Sequence, residues 1–125
     1  MKEVVQTNNA LQAIGPYVQA VKINGMLYTS GQIALNANGE SVQGDVKVQA
    51  MQVMQNLKAV VEAAGSSMDK VIKTTCFIKN MDDFVAFNEV YASFFRGETP
   101  PARSCVEVAR LPKDVLIEVE AIAEI

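Results

Sequence analysis

The sequence predicts an α+β domain: one mixed β-sheet with two helices packed on one face. Three observations carry that prediction. Apolar residues recur with period two in several segments and with helical spacing in two others. These segments follow one another as hairpin, helix, strand, helix, strand, strand. Neither an internal repeat nor a linker of altered composition interrupts the 125 residues. That length suits a single core, so residues 1–125 are expected to form one domain.

The hairpin comes first. Tyr17 to Ile23 reads as a strand, and Asn24-Gly25 as its turn, because both residues tolerate positive φ. Met26 to Gln32 returns, ending in the small residues Ser30 and Gly31, where a ligand can approach the backbone. Asn36 to Gly39 is a loop. Asp45 is the expected N-cap of a long helix whose buried stripe is Ala50, Val53, Met54, Leu57, Val60, Val61 and Ala64, with Gly65 closing it. Val71 to Lys79 alternates and is rich in β-branched residues, which marks a strand. Its Cys76 reads as a small buried hydrophobe. Asp82 or Asp83 is expected to cap a second helix whose apolar side runs from Phe84 to Phe95, stopped by Gly97 and the Pro100-Pro101 pair. Ala102 to Val108 and Val115 to Ile122 are the last two strands, joined by a loop around Pro112-Lys113-Asp114.

Composition narrows function. Half of the residues are hydrophobic and the net charge is −3. Basic residues are not clustered, so nucleic acid is not an expected partner. No apolar run is long enough to span a bilayer, and the first residues lack a signal-peptide core, so a cytoplasmic protein with reduced Cys76 and Cys105 is expected. The chain has no histidine. The commonest general base and metal ligand are therefore missing, and neither a metal nor a cofactor is expected.

The stretch Pro100 to Val108 speaks most directly about chemistry. Arg103, Cys105 and Glu107 share one side of that strand. The arginine fork matches the two oxygens of a small carboxylate. Glu118, on the last strand, is the expected acid–base partner, with Glu120 as its nearest confounder. Two helices cover only one face of a sheet. The other face is expected to carry Tyr17, Arg103, Cys105 and Glu118 among Val21, Leu116 and Ile122, and to pack against copies of itself. Structural readings stay open beside these: Arg103 and Glu118 as an ion pair, Tyr17 as packing, Ser30 as a hydrogen-bond donor.

The run Pro101 to Leu111, followed by Ile117-Glu118-Val119, resembles the signature of the RidA/YjgF family of enamine/imine deaminases. Phe87 to Tyr91, Gly15-Pro16-Tyr17 and Ser30-Gly31-Gln32 are similar to it as well, so the likeness spans essentially the whole chain. Val119 departs conservatively from the Ile or Met usual there. The resemblance implies a homotrimer of chorismate-mutase-like subunits with a cleft between each pair of neighbours. It implies hydrolysis of 2-aminoacrylate and 2-iminopropanoate-type intermediates to 2-oxo acids and ammonia. It also implies roles for Tyr17, Ser30, Gly31, Arg103, Cys105 and Glu118, with Arg103 as carboxylate anchor and Glu118 as acid–base group. The alternative is a non-catalytic regulatory protein that binds a 2-oxo acid in the same cleft.

Overall fold

A computed structural model describes residues 1–125. Its strands are β1 (Glu3–Val5), β2 (Ala20–Ile23), β3 (Met26–Thr29), β4 (Val71–Ile78), β5 (Ala102–Glu107) and β6 (Ile117–Glu124). Its helices are α1 (Val46–Ala63) and α2 (Phe84–Ser93). All the strands join one sheet in the order β1-β2-β3-β6-β4-β5. The predicted mixed sheet with two helices is therefore the fold. β1 was not anticipated: three residues with one buried side chain, Val5, are too short to show a period.

The β2–β3 turn forms as expected. Asn24 and Gly25 both take positive φ, 52° and 75°, and Ile23 pairs with Met26. β2 is shorter than expected: the Gln19 carbonyl still accepts from the Ser30 amide at 2.9 Å, but the strand proper begins only at Ala20. The buried Gln19 side chain bonds Thr7 and Leu11, tying the N-terminal loop to the sheet. β6 is antiparallel to both β3 and β4. β4 and β5 are parallel, which requires a long crossover, and α2 supplies it.

Both helices lie over one face. The stripe of α1 from Val46 to Val61 is buried, as are Ile117, Val119, Ala121 and Ala123 of β6 and Thr74, Cys76 and Ile78 of β4. The apolar ones among them form the main core together with Phe87 and Tyr91 of α2, and Thr74 is a buried polar residue beside it. Asp45 caps α1, accepting from the Val48 amide at 3.1 Å. The second cap differs from expectation. Asn80, not Asp82 or Asp83, provides it, accepting from the Asp82 amide at 2.9 Å ahead of a 3-10 turn at Met81–Asp83; Asp83 makes no side-chain cap. β6 begins at Ile117 rather than Val115 because Pro112–Asp114 folds as a 3-10 turn.

A smaller apolar cluster, Ile33, Leu35, Leu111 and Val115, sits apart from the main core, with Phe77 packed against it. It is pinned from α1. The buried Asn56 amide donates to the carbonyls of Ile33 and Leu35 at 3.2 and 2.8 Å. Asn56→Ala leaves both carbonyls without that donor inside the protein. The expected loss is about 2 kcal/mol or more, read as a lower midpoint in urea unfolding.

Candidate functional site

Strand pairing decides where each candidate side chain goes. Thr74 is the register partner of Arg103, and Cys76 that of Cys105. Thr74 and Cys76 are buried beneath the helices, so Arg103 and Cys105 project to the helix side. Glu118 pairs with Phe77 and projects to the open side, because its neighbours Ile117 and Val119 fill the core. The expectation that Arg103, Cys105 and Glu118 share the open face is therefore corrected: within one chain they lie on opposite faces. Alternation shows which residues of a strand share a side, but not which side meets the helices. Val106, apolar but on the other side of β5 from Arg103, is 45 % exposed.

Arg103 rests against one face of α2. Its Nη1 donates to Asn88 Oδ1 at 2.7 Å. Its guanidinium carbon lies 4.7 Å from the ring centroid of Tyr91 and 5.2 Å from that of Phe84, within cation–π range. Pro100 and Pro101 complete the concave surface around it. The ion pairs of the chain are Lys22–Glu3, Lys47–Glu89 and Arg110–Asp114. Arg103 has no acidic partner, so its charge is uncompensated.

Glu118 lies in a cleft of about 600 Å³ on the open side. Tyr17, Ser30 and Gly31 line it, together with the apolar side chains of Leu11, Ile33 and Leu35. The structure thus brings together four predicted site residues: Tyr17, Ser30, Gly31 and Glu118. Gly31 is there because of Glu118. A Cβ added at Gly31 would overlap the carboxylate, coming within 2.8 Å of its carbon. Ser30 donates its hydroxyl proton to the Val18 carbonyl at 2.5 Å, so only its lone pairs face a ligand. Tyr17 is half exposed at the rim. Burial pushes the Glu118 carboxyl above its ordinary 4.5, and the nearby Glu120 adds to the effect. No cation pairs with it.

Two residues near these surfaces were not anticipated. Asn88 lies in a segment that resembles the family, but spacing alone gave it no partner. Lys113 enters the cleft wall because Lys113 and Asp114 both take positive φ, 59° and 55°. That conformation is uncommon outside glycine and leaves no periodic signal. The thiols are poor nucleophile candidates. Burial raises Cys105, with Arg103 pulling the other way, and pushes Cys76 up to about 12. Both stay protonated near neutral pH. No helix is long and apolar enough to cross a membrane.

Comparison with known proteins agrees with this architecture. The family model described as "Endoribonuclease L-PSP" matches residues 7–125. A 2-iminobutanoate/2-iminopropanoate deaminase of Escherichia coli is 53% identical over 125 residues, covering 98% of each chain. A Lactococcus lactis protein carrying the name of a regulator, AldR, is 54% identical over 124 residues, again with 98% of each chain covered. The crystal structure of YyfA from Yersinia pestis, of the conserved Rid protein family, superposes with a TM-score of 0.97 at 48% identity, covering 100% of both chains.

The Gly31–Glu118 packing has a direct consequence. Gly31→Ala displaces the carboxylate from its seat while leaving the helix-side core untouched. The variant should keep its thermal unfolding midpoint within a few degrees. A crystal structure of it should show the Glu118 side chain in a different rotamer.

Proposed function

The chain belongs to the endoribonuclease L-PSP family, the RidA/YjgF group, and from that membership we propose that it is an enamine/imine deaminase working at the interfaces of a homotrimer. Its substrates in this reading are 2-aminoacrylate and 2-iminopropanoate-type intermediates, and its products a 2-oxo acid and ammonia. One observation carries the reading. The chain holds an arginine without an acid and a half-buried glutamate without a cation, on opposite faces of one sheet. Each is half of a site that a second copy can complete. The open face supplies a surface for that copy, with Tyr28 and Val106 both exposed on it.

The chemistry follows from the two halves. Arg103 of one subunit grips the substrate carboxylate through two N–H groups and fixes the position of the adjacent carbon. A proton added at the terminal carbon converts the enamine to the imine. Glu118 of the neighbouring subunit orients a water molecule and takes its proton as the oxygen bonds to the imine carbon. The same carboxyl returns that proton to nitrogen. The C–N bond then breaks, ammonia leaves, and loss of the hydroxyl proton yields the 2-oxo acid. Such imines already react with water, so positioning and one acid–base group suffice without metal or coenzyme. The raised Glu118 suits both taking and returning a proton. Backbone groups beside Cys105 are the expected substrate contacts there, with Tyr17 closing over the ligand and Ser30 accepting from it. We expect no nucleic-acid partner, given the absent histidine and the net charge of −3.

The regulator's name on a relative 54% identical favours one other reading, a 2-oxo acid sensor using the same cleft without turnover. Saturable binding of 2-oxobutyrate with no acceleration of imine hydrolysis would select it.

Two measurements test the deaminase. Arg103→Ala and Glu118→Gln should each lose acceleration of 2-oxo acid release from enzymatically generated 2-aminoacrylate. Co-expressed in one oligomer, they should recover part of it, because one interface type regains both side chains. Absence of recovery, or a monomeric mass in light scattering, overturns the shared site. The second measurement is the pH–rate profile. Glu118 acts as a base only when ionised, so activity should fall on the acid side with a midpoint above 4.5. Glu120→Gln removes a like charge and should move that limb to lower pH.

A further inference from the structure

Arg103 is not left to find its own direction. Phe84, Asn88 and Tyr91 recur at helical spacing along one face of α2, and all three meet the guanidinium. The Tyr91 hydroxyl is itself hydrogen-bonded to Thr74 Oγ1 at 2.7 Å, on the strand beside Arg103. That bond stops the ring from swinging away. Asn88 then accepts from Nη1 at 2.7 Å and fixes rotation of the guanidinium plane. None of these groups carries a formal negative charge. An aspartate at position 88 would hold the arginine as firmly, but it would neutralise the charge that attracts an anion.

We infer that Asn88 is a positioning residue for carboxylate capture: a neutral acceptor that orients Arg103 while keeping its charge available to the substrate. The inference rests on the reading of Arg103 as the carboxylate anchor. It assigns a selective role to the amide that a carboxylate of nearly identical shape cannot fill. Phe84 and Tyr91 complete the cradle with ring faces, which attract the cation without neutralising it.

The test uses pyruvate as probe and its methyl ester as the uncharged control, with binding to the full chain followed by calorimetry. Asn88→Asp preserves shape and adds charge. It should weaken pyruvate binding by about tenfold or more. Asn88→Leu, which removes the acceptor without adding charge, should weaken it less. In turnover of the imine, the loss in Asn88→Asp should appear in KM rather than kcat. A purely structural role would instead lower kcat and the calorimetric stoichiometry through loss of folded protein, while leaving KM and the pyruvate affinity of the folded fraction in place. That result overturns the inference. So does wild-type pyruvate affinity in Asn88→Asp when Arg103→Ala has lost binding, and in that case the anchor reading stands. Wild-type affinity in Arg103→Ala overturns the anchor itself and the inference with it.

Discussion

Parallel pairing between β4 and β5 governs the rest of the molecule. A parallel neighbour cannot be reached by a tight turn, so the chain must cross over the sheet, and it does so as α2. The crossover packs on the face that α1 already occupies, which leaves the opposite face uncovered. It also sets which side of β5 lies beneath a helix. Arg103 falls on that side and meets α2, while Glu118, two strands away, is turned outward. One topological choice thereby separates the cation from the carboxylate within a subunit.

The separation has an energetic side. The exposed pairs Lys47–Glu89 and Arg110–Asp114 are of the kind that contributes little. Arg103 and Glu118 are left without ion-pair partners, and packing holds them in place: ring faces and an amide around Arg103, a missing Cβ beside Glu118. Neither arrangement maximises the stability of an isolated subunit. Proteins commonly hold such local compromises where binding or chemistry happens.

Much of the fold was legible because it is written in periodic signals. The α1 stripe, the Asp45 cap, the Asn24-Gly25 turn and the alternation of β4 from Lys73 onward appear where their residues point, whereas a register shift turns Val71 to the helix side. Errors arose where the cause is tertiary. The ends of β2 and β6 depend on Gln19 and on the 3-10 turn after Leu111, neither of which has a period. The side taken by Arg103 depends on a pairing register that a single strand does not encode. Ser30, Gly31 and Glu118 of the cleft were readable from strand position and side-chain size and, like Tyr17, from family resemblance, whereas Lys113 in the cleft wall and Asn88 beside Arg103 became visible only once the Pro112–Asp114 turn and α2 were in place.

β5 also forms an outer rim of the sheet, with one flank unpaired. Such a rim is a template on which a foreign strand can dock. Pro100 and Pro101 stand directly before it, and neither offers a backbone donor. Any docked strand therefore runs out of partners at that end. The proline pair thus bounds the ladder that this rim can offer, which extends no further back than Ala102.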